Sequence, residues 1–113
     1  MVGQRNPNVF AMDWKAHHQA SSKNLSDYGN VVPVFKNGRL TIWKLQREIE
    51  AVVDLFQRKD FDCGRDFIAV LGSPVNASVV FMAVASMMPA VHQVNVLYFD
   101  STKQQYRLQV VQL

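Results

Sequence analysis

The stretch DFIAVLGSPVNASVVFMAVASMM, residues 66–88, decides the reading of the fold. Its first part, DFIAVLG, is a continuous apolar run ended by Gly72, the pattern of a short strand covered on both faces. Ser73 is a preferred helix N-cap, and Pro74 suits the first helical position, where its missing N–H costs nothing. The helix that follows is expected to run to about Met88 and to stop before Pro89. Val75, Val79, Val80, Phe81, Met82, Val84, Met87 and Met88 cover nearly its whole circumference, so it should be buried on more than one side. In a chain this short, that girth calls for a partner subunit.

Upstream, TIWKLQREIEAVVDLFQRK repeats Ile42, Leu45, Ile49, Val52, Val53 and Phe56 at helical spacing, with Thr41 as a cap. Its other face carries charges, among them Asp54 and Arg58 one turn apart. Before it, VVPVFKNGRLTI reads as a strand over residues 31–35, with Pro33 fitting an edge position or a strand start. Asn37-Gly38 marks a two-residue hairpin, with a short return strand over Arg39 to Thr41. Downstream, Val94, Val96 and Tyr98 alternate along one strand, and Tyr106, Leu108 and Val110 along another. The loop Asp100-Ser101-Thr102-Lys103 joins them as a C-terminal β-hairpin.

Strand, helix, strand, helix, strand, strand implies right-handed crossovers and parallel pairing, with the last strand antiparallel. The expected fold is a single compact α/β domain over residues 31–113. It has a central mixed, mostly parallel sheet of four or five strands, two main helices and the hairpin. Residues 1–30 are polar with isolated apolar residues and read as an arm with aromatic anchors. Within the arm, FAMDWKAHHQA is compatible with a short helix bearing Phe10, Trp14 and His17 on one side.

The totals bound function only loosely. The chain has 113 residues, 49% of them hydrophobic and 19% charged, which is globular and not disordered. A net charge of +3 is scattered and demands no polyanion. Cys63 is the lone cysteine, so no internal disulfide forms. The amino terminus lacks a signal-peptide core, and no apolar run approaches membrane-spanning length. The expectation is a soluble cytoplasmic protein without membrane association. Asn76-Ala77-Ser78 matches a glycosylation acceptor that only a secreted protein would use.

In open parallel sheets, ligands gather beyond the carboxyl ends of the strands, where Gly72, Ser73 and Asn76 should sit. Exposed N–H groups at a helix start attract anions. The phosphate-loop and dinucleotide-binding glycine patterns are both missing, and Pro74 removes one donor. Strand, Gly-Ser-Pro turn and apolar helix resemble, over this stretch alone, the ligand-binding edge of nucleotide-sensing Rossmann-like domains. Helix capping accounts for the same residues. Asp100, at a strand end, is a further ligand candidate, although Asp is also a common hairpin-loop residue. His17, His18, His92 and Cys63 show no metal-ligand spacing, and no base is set beside the thiol, so no metal or catalytic residue is assigned.

The leading expectation is a non-catalytic, self-associating binding or interaction module, a homodimer with no cofactor. The alternative is a binder of, or an enzyme acting on, a nucleotide or other phosphorylated small ligand at the Gly72–Asn76 junction. A further alternative is weak single-strand nucleic-acid binding by Phe10, Trp14, Tyr28 and Trp43 with Arg5, Lys15, Lys23 and Arg39.

Overall fold

The computed structural model describes residues 5–13, 24–35, 42–71 and 74–113. Five strands form one sheet: β1 (Asn8–Asp13), β2 (Asn30–Phe35), β3 (Phe67–Val70), β4 (Gln93–Asp100) and β5 (Gln105–Gln112). Among the described residues the two longer helices are α1 (Leu45–Arg58), entered through a 3-10 turn at Ile42–Lys44, and α2 (Pro74–Ser86), and a helical turn at residues 24–26 precedes β2. The spatial order is β2-β1-β3-β4-β5. β1 is parallel to both β2 and β3, β3 is parallel to β4, and β5 returns antiparallel to β4. The α/β class, the mostly parallel sheet and the closing hairpin are therefore as the sequence pattern implies.

The middle of the sheet is not. Residues 8–13, read as part of an arm with a helix over FAMDWKAHHQA, form the strand between β2 and β3. Val9, Phe10, Ala11 and Met12 are all withdrawn from water. A strand buried on both faces shows no alternation, so its pattern cannot be separated from a helix segment by period alone. Phe10 and Met12 face α1 and α2, packing with Val52, Phe56, Ile68, Val80 and Val94. The Phe10 ring meets Phe56 edge-on at 4.6 Å. Val9 and Ala11 face the other way, toward Leu25, Ala69, Leu97 and Tyr106. Both helices thus lie on one face. The other is covered by the short segment around Leu25 and Tyr28, with Tyr28 set against Phe67 at 5.4 Å.

The carboxylate of Asp66 holds β1 in place. It is fully buried and accepts a two-pronged bond from Arg5, at 2.8 Å and 2.7 Å. The Asn8 N–H at 2.9 Å and the Asp62 N–H at 2.8 Å complete its set. The second Arg5 nitrogen also reaches the Asp60 carbonyl. Asn95, on β4, donates to the Asp66 carbonyl at 3.1 Å. Burial pulls the Asp66 pKa upward, but the bonds from Arg5, Asn8 and Asp62 outweigh it, so the carboxyl titrates below its ordinary value. β2 enters beside β1 through Gly29, where a Cβ would collide with the Pro7 carbonyl oxygen. Asn30 then donates to that same oxygen at 2.8 Å.

Local signals are met in part. Pro74 opens α2, while the helix ends at Ser86 and passes into a turn short of Met88. Lys44 occupies the N-cap of α1 without a side-chain bond. The expected cap at Thr41, the Asn37-Gly38 turn and the return strand over Arg39 to Thr41 lie outside the described residues. No helix among the described residues is long and apolar enough to cross a membrane.

Replacing Asp66 by Asn should lower the unfolding free energy at pH 7 by on the order of 3 kcal/mol in urea titration, the low end for breaking a buried pair. Because the folded pKa is depressed, this stabilisation is fully present above the unfolded value of about 3.9 and fades as pH falls through the lower folded value. The wild type should therefore lose stability below about pH 4, and Asp66→Asn should flatten that dependence.

Candidate functional site

The strand order changes direction between β1 and β3. The chain leaves β1 toward β2 on one side, then crosses to β3 and continues to β4 on the other. Such a switch point opens a crevice beyond the carboxyl ends of the two strands. β3 leads into α2, so the amino end of α2 lies beyond the carboxyl end of β3. Gly72 and Ser73 lie outside the described residues. Asn76, in the first turn of α2, is only 2% exposed, and its Nδ2 donor has no hydrogen-bond partner. A buried amide donor left unpaired costs about 1–3 kcal/mol, so it calls for an explanation. Ser78, one turn further on, bonds back to the Pro74 carbonyl at 2.9 Å and stays within the helix.

Asp100 ends β4 on the same edge of the sheet, but its carboxylate is turned to its own loop. One oxygen accepts the N–H groups of Thr102 at 3.0 Å and Lys103 at 3.3 Å, and the other meets Arg107 at 3.5 Å. Burial pulls its pKa up, but the bonds from Lys103, Thr102 and Arg107 together outweigh that pull and hold it below the ordinary value. Asp100 and Asn76 therefore share an edge without forming a joint cluster of free polar groups.

The other charged and aromatic candidates are dispersed. Phe10 is core and Arg5 is committed to Asp66, so neither is available to a single strand of nucleic acid. Tyr28 packs on Phe67, while Trp43 is 86% exposed on the turn before α1. Trp14, Lys15, Lys23 and Arg39 lie outside the described residues, as do His17 and His18. Among the described residues, no group of three metal-ligating side chains assembles. Cys63 sits half-buried in the turn before β3, where its carbonyl accepts bonds from Gln93 and Asn95.

The feature that sequence reasoning did not single out is apolar. Beside α2, a hollow of about 370 Å³ is lined by Val70, Phe81, Val94, Val96, Tyr98, Val111 and Leu113. Its origin is topological: β4 connects to β5 through a hairpin, so among the described residues no helix follows β4 to cover that end of the sheet. Phe81 and Met82 on α2 continue the apolar surface, at 37% and 50% exposed. On the opposite sheet face, Leu108 and Val110 of β5 are also exposed. The signal was present in residues 105–113, whose apolar side chains fall on both alternations with no helix to follow.

Compared with family models, curated proteins and solved structures, the chain finds no match.

If Asp100 serves its loop, Asp100→Ala should lower the thermal midpoint, whereas Asp100→Asn, which keeps an acceptor oxygen for the two N–H groups, should retain most of it. Equal losses in both variants, read by thermal denaturation, would contradict that role.

Proposed function

We propose that this chain is a non-catalytic interaction module that works as a homodimer, with the interface on the side of the molecule formed by α2, the hollow and β5. The observation that carries this reading is the solvent-open apolar hollow flanked by Phe81, Val111 and Leu113. Exposed apolar surface that is contiguous, rather than scattered singly, marks an association site. Closed two-fold pairs are the commonest way for a soluble chain to cover such a surface. The mildly basic, diffuse charge opposes no such contact. Light scattering at micromolar concentration should give twice the chain mass of 12.9 kDa. Phe81→Lys, at a position already partly exposed, should return the mass to that of one chain with the fold intact. A wild-type protein that remains a single chain throughout the micromolar range would sink the proposal.

Asn76 favours a second reading: a nucleotide or other phosphorylated small ligand held at the mouth of β1 and β3. An N–H donor withdrawn from water at a helix start supports an acceptor group supplied from outside the chain. A ligand that binds only the folded state raises the thermal midpoint. Nucleoside phosphates should therefore shift it in the wild type and not in Asn76→Leu. A flat response across the panel would remove this reading and leave the first untouched.

A further inference from the structure

We infer that two copies of the chain join along the outer edge of β5, antiparallel and centred on Val110, so that one sheet runs through both. This rests on the self-association reading above and specifies its contact. The main-chain directions of β5 follow from one bond: the Leu113 N–H donates to the His92 carbonyl at 3.0 Å. With Gln93 paired to Gln112 in register, antiparallel alternation turns the main-chain groups of odd-numbered β5 residues toward β4. The even-numbered residues then direct their N–H and C=O groups outward. The first outward N–H, that of Tyr106, is taken by the side-chain oxygen of Asn24. Leu108, Val110 and Gln112 remain as a row for which no described residue supplies a partner.

The two edges of the sheet are treated differently. On β2, the bond from the Asn30 N–H to the Pro7 carbonyl makes the even-numbered residues face β1, so Pro33 points outward. Proline at an outward position removes a donor and blunts an edge against further pairing. β5 has no proline, and its only charged residue, Arg107, reaches back to Asp100 in the same chain. A strand that is long, apolar and unblunted is a template for another strand.

The register follows from which groups are open. Centring the two-fold on Val110 sets Val110 against its own copy and Leu108 against Gln112. All three open residues of each chain then pair, with two bonds exchanged per pair. Centring on Leu108 or Gln109 would bring in Tyr106, whose N–H is already engaged by Asn24. Phe81, Met82, Leu108, Val110, Val111 and Leu113 are between 37% and 51% exposed. These exposed apolar side chains lie on both faces of the sheet beside the β5 edge, and together with the strand main chain they contribute toward the ~800 Å² per partner that a stable pair buries. In this arrangement the two hollows lie on the same side of the shared sheet, flanking the axis.

Val110→Pro deletes an outward N–H and spares the β4 ladder, as Pro33 spares β1. It should weaken the dimer by about tenfold or more in sedimentation equilibrium, with wild-type circular dichroism. Since Val110 faces Val110 across the axis, V110K and V110E should each run as single chains and regain dimer mass when mixed. That mixing experiment decides the matter if the proline variant fails to fold. A Val110→Pro dimer as tight as wild type, or V110K and V110E chains that do not recover on mixing, overturns the edge contact. If Phe81→Lys is at the same time monomeric, self-association through this side of the molecule stands without it. A monomeric wild type removes both.

Discussion

One buried carboxylate organises the sheet. A charge withdrawn from water is tolerated only when its lone pairs are satisfied, and Asp66 meets that condition with Arg5 and two main-chain N–H groups. Those donors come from two distant parts of the chain, the run before β1 and the turn before β3. Satisfying Asp66 therefore brings the amino-terminal segment beside β3 and aligns Val9 with Phe67. Once β1 lies there, β2 can only extend the sheet outward, and both faces of β1 must be covered. Phe10 and Val9 supply the opposite halves of the core for that reason.

The same placement determines where chemistry can occur. A sheet that grows in two directions from β1 and β3 has its switch point between them, the place where open α/β sheets bind ligands. The unpaired amide of Asn76 in the first turn of α2 is the one polar irregularity among the described residues there. The charged groups with well-formed bonds lie elsewhere and serve the fold: Asp66 at the amino end of β3, Asp100 in its loop. Cover is also uneven. The connecting helices α1 and α2 lie on one face, and among the described residues no helix follows the β4–β5 hairpin to cover β5 on that face. Incomplete cover and an open strand edge coincide on one side of the molecule, which is why association there is the reading the surface favours.

How much of this was legible beforehand depends on whether the cause was local. The capping chemistry of Pro74, the amphipathic stripe of α1, the apolar run of β3 and the alternation of β4 and β5 are properties of neighbours in sequence. They can be read without a fold. Pro33 likewise narrowed its segment to an edge position or a strand start, because a missing N–H is tolerated only where nothing needs it, and the structure puts β2 at the edge. By contrast, NVFAMD carries no period that distinguishes a doubly buried strand from a helix, and nothing near Arg5 indicates a partner 61 residues away.

From the residues alone, then, come the class of fold, the order of its later elements and the unusual apolarity of α2. The tertiary structure decided that residues 8–13 of the supposed arm form an interior strand between β2 and β3 and that Asp66 anchors it. It also decided that Asn76 is buried with a donor to spare, and that the apolar surplus gathers around a hollow beside β5. The physical reason is range. Propensity and periodicity act over a few residues, whereas the pairing of strands, the burial of a charge and the exposure of an edge depend on contacts between segments that are remote along the chain.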